Sequence, residues 1–298
     1  MKVLKKILIS VFAIILILAL VLAGIYFFVL KKYDIDLFKT AAQLKIISQD
    51  VDQNELCPNA FGEDDFNALQ SNVNGKFGGL IAKEDGKGYN GYYVDFSALE
   101  GKTLEDSSEN PSSLVFDDKQ LGALAQTVFY KNNGGIIKLG EREISVTLMQ
   151  IDLSEFTENG GADFNIVAKL DLSQIKADMN SFPYSLFVKY VPDSLYVSST
   201  VSVAKTDDAF AYTVSHKALT LNMLSADDTA DLFHTLDAVL KIGSAEDMNV
   251  KIGTVVTDAL IGCEGNAGFA YSLKAVGAKR FVFASLNDGA KDAMIIEW

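Results

Sequence analysis

The sequence predicts an α+β fold: an N-terminal transmembrane helix, then antiparallel sheet packed against long amphipathic helices. Three observations carry this. Residues 7–30 form a run of 24 positions without a charge. Between 144 and 223, apolar side chains alternate with polar ones, the period of half-buried strands. Around 121–129, 232–240 and 248–260 they recur every three to four residues, the period of a helix with one buried face.

At about 1.5 Å per residue, Ile7 to Leu30 can cross the ~30 Å hydrocarbon core with some tilt. It exceeds the usual apolar stretch of about 7–15 residues in a cleaved signal peptide. Ala23-Gly24 offers a small-residue alternative for cleavage, and no Cys stands where a lipoprotein signal needs one. Lys2, Lys5 and Lys6 precede the run, and Lys31, Lys32, Lys39 and Lys45 follow it, so the positive charges nearly balance. The position at the extreme N-terminus selects an N-inside signal anchor. The expected division is 1–6 as a short cytoplasmic tail, 7–30 as the anchor, 31–110 as a membrane-proximal mixed region, and 111–298 as an α+β domain outside the cytoplasm.

The 298 residues hold 39 Asp and Glu against 26 Lys and Arg, and two His. Beyond position 32, 21 basic residues face 39 acidic ones, a formal charge of −18. Such a surface lacks the basic stripe a nucleic-acid partner requires. It also opposes docking on anionic lipid outside the Lys-flanked start.

Tyr33 to Val51 reads as a helix continuing from the anchor, with Ile35, Phe38, Ala42 and Ile46 at helical spacing. Cys57-Pro58 breaks it. Residues 82–91 form a turn, and 100–113, with Gly101 and Pro111, a linker. Asp117 caps a helix over 118–130, with Phe116 and Leu121 as a hydrophobic staple. Leu121, Leu124, Ala125, Val128 and Phe129 form its stripe. Strands follow. In the first, the apolar parity shifts from Ile144, Val146, Leu148 to Met149, Ile151, Leu153, which requires a bulge or a strand buried on both faces. Phe164–Leu172 and Leu195–Val203 make two more, and the run of Phe210, Tyr212 and Val214 and then Leu219, Leu221 and Met223 makes a fourth. Ser225 with Asp228, and Ser244 with Asp247, open two further helices, and strands at 268–276, 279–286 and 293–298 close the chain. A faint internal echo aligns Phe61, Phe66, Leu69, Val73 and Gly78-Gly79 with Phe116, Leu121, Leu124, Val128 and Gly134-Gly135.

No Gly-x-Ser-x-Gly, His-Glu-x-x-His, Walker or dinucleotide fingerprint occurs, so no enzyme activity and no cofactor are expected. His216 and His234 each stand alone. The acid pairs Asp64-Asp65, Asp117-Asp118 and Asp227-Asp228 sit at helix starts, where carboxylates satisfy free N–H groups. The loop 84–91 lacks the alternating oxygen ligands and closing Glu of a calcium site. Cys57 and Cys263 are either a bridge across 206 positions or two free thiols; no His accompanies them to make a zinc set.

The order in 114–220 is a capped helix (Phe116-Asp-Asp-Lys-Gln-Leu-Gly-Ala-Leu), a Gly-Gly turn, strands 144–153 and 164–172, then Val191-Pro192 and Leu195-Tyr196-Val197. It resembles the membrane-anchored YpmS-like proteins of Gram-positive bacteria and, more loosely, the tubular lipid-binding superfamily. The resemblance covers a little over a third of the chain. It implies a curved sheet wrapping a long helix, and non-covalent handling of a lipid or amphiphile at the outer membrane face. The residues themselves fit two readings. In one, the apolar helix faces line a groove, with Leu121, Leu124, Val128, Leu232, Leu236, Val239, Ile252 and Val256 against the ligand. In the other, the same stripes fill a solid core, and the domain is a scaffold that meets another envelope protein.

Overall fold

The structure is a computed structural model that describes residues 28, 30–32, 36–102, 113–139, 142–178, 188–206, 208–240, 243–266, 268–286 and 291–298. The chain begins with α1 (Leu37–Ile47), α2 (Gln53–Leu56) and α3 (Glu63–Asn74), then a small hairpin of β1 (Ile81–Lys83) and β2 (Tyr92–Val94). Strand β3 (Ser113–Asp117) leads into α4 (Asp118–Asn133), followed by β4 (Ile136–Leu139), β5 (Arg142–Ser154) and β6 (Ala162–Asp171). After α5 (Ser173–Asp178) come β7 (Ser194–Lys205), β8 (Tyr212–Leu221), α6 (Ala226–Leu240) and α7 (Ala245–Leu260). The chain closes with α8 (Phe269–Ser272), β9 (Arg280–Leu286) and β10 (Lys291–Glu297). The protein is α+β, as the two periods in its sequence require.

The largest layer is an antiparallel meander in the order β4-β5-β6-β7-β8. Period-two alternation gives it two unlike faces. On β6, Phe164, Ile166, Ala168 and Leu170 are buried, while Asn165 and Lys169 between them are partly exposed. Helices α4 and α7 lie across the apolar face, α4 over β5 and α7 over β7 and β8. The parity shift in β5 is a bulge: Leu148 pairs with Ala168 and Gln150 with Val167, leaving Met149 outside the ladder. The Met149 carbonyl accepts the Phe61 N–H instead, at 3.3 Å. A second sheet, β3-β10-β9, is also antiparallel. It meets the first at the β5–β6 turn, where Phe283 N–H donates to the Gly160 carbonyl and the Phe283 ring meets Phe164 edge-on at 5.0 Å.

Helix α4 is the axis of the molecule. Asp117 Oδ1 accepts the Gln120 N–H at 3.0 Å, and Gly134, at φ 64°, stops the helix with its N–H on the Tyr130 carbonyl. Every residue from Leu121 to Phe129 is buried. Burying a large apolar side chain contributes about 1.5–3 kcal/mol before entropy is counted, so Leu121, Leu124, Val128 and Phe129 are a main source of cohesion. The helix also needs a gap in its own surface. A Cβ on Gly122 would sit inside the contact distance of the Phe61 ring, so Gly122 lets Phe61 pack against α4. Through such contacts one hydrophobic cluster runs from Ile47 in α1 to Trp298 at the end of the chain.

Two expectations are corrected. The helix expected over 33–51 is α1, shorter and newly begun. Asp36 is extended backbone, and its carboxylate caps the Phe38 and Lys39 N–H groups at 3.0 and 3.1 Å. Its buried residues are Gln43 and Ile47, while Phe38 and Ala42 of the expected stripe are exposed. The strand expected at 268–276 is α8 followed by a 3₁₀ turn, Leu273–Val276. Phe269, Leu273 and Val276 are buried at helical spacing, a period outweighed in the sequence by the alternation of Phe269 and Tyr271. The fourth strand expected over 210–223 is β8, Tyr212–Leu221, and most of the linker expected at 100–113 lies outside the described residues.

Candidate functional site

Six of the eight expected groove residues, on helices α4, α6 and α7, belong to the buried core. Leu121, Leu124, Val128 and Leu232 have no exposed surface, Val256 has 1 % and Ile252 has 7 %. Leu236 and Val239 lie on α6, and their side chains are outside the described ones. The apolar cavity between α4, α7 and the sheet is about 20 Å³ and is lined by Phe129, Val146, Leu148, Ile252 and Val256, among others. That is room for about one water molecule, far below the acyl chain of a lipid. These stripes form core in the conformation described, where the groove reading needed open space.

A wider cleft opens at the end of that cavity, sharing Ile137 and Val255 with it. It measures about 340 Å³ and lies between the outer strand β4 and helix α7. Ile136, Ile137 and Val255 form its apolar wall; Asn133, Lys138, Glu143 and Lys251 form its rim. Lys138 pairs with Glu143 at 3.6 Å, and the Lys251 ammonium is bonded to the Lys138 carbonyl. The volume falls in the range of about 300–1,000 Å³ typical of ligand clefts.

A buried polar cluster, not anticipated from the sequence, pins α7 to the sheet. Asn249, with no exposed surface, accepts a hydrogen bond from Ser199 Oγ at 2.6 Å. Its amide nitrogen donates to the Thr200 carbonyl at 2.8 Å and lies 2.7 Å from His216 Nδ1. That geometry satisfies all of Asn249 when Nδ1 carries no proton. The bulge at Thr200/Val201 makes it possible: it shifts the parity of β8, so His216 shares the core-facing side with Leu219 and Leu221. On the other face, the bulged Lys217 is ion-paired with the buried Asp163. Ser199 is bonded to Asn249 and not to His216, so the cluster lacks the nucleophile–base contact of a hydrolase. His234 lies exposed on α6. The sequence signal for the cluster is an Asn between Met248 and Ile252 on the apolar stripe of α7.

The acid pairs hold the helix starts assigned to them. Asp65 accepts the Gly62 N–H at 2.8 Å, and Asp228 and Ser225 bond reciprocally. Asp118 differs, because burial pushes its carboxyl up to about 7. Asp152, Asp292 and Asp117 add to that rise, and the Leu153 N–H bonded at 3.2 Å only partly opposes it. Among the described residues no group of three or more His, Cys, Asp or Glu could hold a metal ion. Cys57 and Cys263 are both free thiols, so the bridged alternative is not the one observed. Cys57 is buried beside Asp152 and Tyr196, and Cys263 is exposed on the turn after α7. Burial pushes the Cys57 thiol up, with Asp152 adding to the rise.

Among the described residues no helix is long and apolar enough to cross a membrane; of the run 7–30, only Phe28 and Leu30 are described. A scan of protein-family models, a search of curated proteins and a search of solved structures each found no match to this chain.

Proposed function

We propose that this chain is a single-pass, membrane-anchored protein whose domain outside the cytoplasm binds another envelope protein and performs no chemical step. The observation that carries this reading is the closed interior. Of the residues best suited to line a lipid groove, the six with described side chains are 0–7 % exposed, and the apolar cavity lined by Ile252 and Val256 holds about 20 Å³. The anchor is the uncharged run 7–30. The surface offered to a partner is the polar face of the meander, where Ser198, Thr200 and Ser202 of β7 are half-buried and Thr213 and Ser215 of β8 exposed. Strand β8 is the last of its sheet, and the bulge with Lys217 blunts it against open-ended strand addition. The test is photocrosslinking in the membrane from Ser202 and Thr213. One dominant protein adduct is expected; adducts with many proteins in proportion to their abundance would reject the reading.

One observation favours a second reading. The β4–α7 cleft joins an apolar wall to a rim with two ammonium groups, Lys138 and Lys251, against one carboxylate, Glu143, on a chain that is otherwise strongly acidic. That pairing fits one chain of an anionic amphiphile. Val255→Asp would then abolish lipid co-purification while leaving the fold intact.

A further inference from the structure

Strand β4 ends the meander on the side opposite β8, and its register fixes where its backbone groups point. The pairs run from Ile136–Ser145 to Leu139–Arg142, and one step before them the Val146 N–H donates to the Gly135 carbonyl at 2.7 Å. In an antiparallel ladder, pairs that exchange hydrogen bonds alternate with pairs that do not. Gly135, Ile137 and Leu139 therefore turn their N–H and C=O groups toward β5, and Ile136 and Lys138 turn theirs away from it. The Lys138 carbonyl follows this rule, because the Lys251 ammonium of α7 reaches it from outside the sheet. Ile136 and Lys138 both line the cleft of about 340 Å³ between β4 and α7, so the outward row of backbone groups borders that cleft.

A row of this kind is where another extended chain adds to a sheet. Strand β4 has neither a Pro nor a bulge to prevent it, whereas β8 at the other edge is bulged. The far wall of the cleft selects side chains. Lys251 and Val255 are one turn apart on α7, about 6 Å along its axis. Side chains two residues apart on a strand share a face and are about 6.4–6.8 Å apart. An added strand can thus set one side chain against Val255 and Ile137 and the next but one beside Lys251. Lys138 is already paired with Glu143, but Lys251 bonds a carbonyl and, among the described residues, no carboxylate. A strand N–H that takes over the Lys138 carbonyl releases that ammonium for an acid. An amphiphile would use the wall and the ammonium groups but leave the Ile136 and Lys138 backbone row unused.

We propose that the β4–α7 cleft binds an extended segment of the partner protein as a sixth strand of the meander, with an apolar side chain on Val255 and a carboxylate two residues away on Lys251. This rests on the reading of the domain as one that binds another protein. It adds a second contact, at the opposite edge of the sheet from β8.

The experiment selects random heptapeptides displayed on phage against the full chain in phosphatidylcholine nanodiscs. The unaltered chain, Val255→Asp and Lys251→Glu are compared, each checked for cooperative melting by circular dichroism. Val255 is half-buried and Lys251 exposed, so both changes leave the core intact. The expected result is enrichment of an apolar residue two positions from Asp or Glu. Val255→Asp should abolish it, and Lys251→Glu should replace the acid by Lys or Arg. The strongest binder is then synthesised with N-methyl groups on alternate residues, in each of the two phases. Only one phase faces β4, so one form should bind at least about tenfold more weakly and the other as before. No difference between the phases, or enrichment without the pattern, overturns the proposal. Failure to enrich any peptide overturns it too, and oleate binding that Val255→Asp removes would then assign the cleft to an amphiphile. One dominant crosslink from Ser202 and Thr213 without peptide binding removes this inference and keeps the partner-binding reading. Scattered crosslinks with phase-dependent peptide binding remove the polar face of the meander and keep the cleft.

Discussion

Replacing Leu124 by Ala tests whether the interior is filled. Leu124 lies in the middle of α4 with no exposed surface, and α4 packs against β5, α3 and α7. Leu→Ala changes at such sites cost about 2.7–5.0 kcal/mol, rising with the volume the surroundings fail to close. Here structure packs against α4 on several sides, and β5 and β6 are held together by a long ladder, from Ser145–Asp171 to Ser154–Asp163, with one bulge at Met149. Collapse is therefore limited, and a cost near 4 kcal/mol is expected, in the upper half of that range. For a domain of this size each kcal/mol lowers Tm by about 2–4 °C, so the midpoint should fall by roughly 8–16 °C. The assay is urea and thermal unfolding of residues 33–298, followed by far-UV circular dichroism. A cost below about 1 kcal/mol, with the fold retained, would mean that Leu124 faces open space. The closed-core argument would then fail.

Other consequences are as specific. The Asp118 carboxyl, raised from 3.8 to about 7, keeps its proton in the folded chain after the unfolded chain has lost it. Stability therefore falls as pH rises from about 4 to 7; Asp118→Asn should flatten that slope and be the more stable protein at pH 8, and an unchanged slope would contradict the burial argument. Asn249→Leu strands Ser199 Oγ and the Thr200 carbonyl, at about 1–3 kcal/mol each; urea titration showing a loss below about 1 kcal/mol would mean the cluster does not hold α7. Gly122→Ala should destabilise by about 1–3 kcal/mol despite better helix propensity, and Phe61→Leu should recover part of the loss if the Phe61 ring is the obstacle. Under native conditions a maleimide should label Cys263 alone, with Cys57 reacting on unfolding; protection of both would indicate the bridge.

Much of the architecture is legible in the residues. The parity shift at Leu148/Met149 announces the β5 bulge, and Asp117, Ser225 and Ser244 mark three helix starts by local chemistry. What local chemistry cannot show is where two segments meet. Asn249 reads as a polar interruption of a stripe until the bulge in β8 sets His216 and Ser199 opposite it. The same limit governs the candidate groove. Leu121, Leu124 and Ile252 have the spacing of a buried face, and spacing is identical whether that face meets a ligand or another layer of protein. Helix α1 misleads for a different reason. The spacing of Phe38, Ala42 and Ile46 predicts the helix but not its inner face, since Phe38 and Ala42 are exposed while its contacts run through Lys39, Gln43, Ile46 and Ile47.

The most direct measurement is native mass spectrometry of residues 33–298 purified without detergent, followed by organic extraction. The closed core predicts the bare mass of a cooperatively folded domain and an extract free of stoichiometric lipid. A one-to-one lipid adduct, lost on Val255→Asp and present in the unaltered protein, would contradict the partner-binding account and place an amphiphile in the cleft beside Lys138 and Lys251.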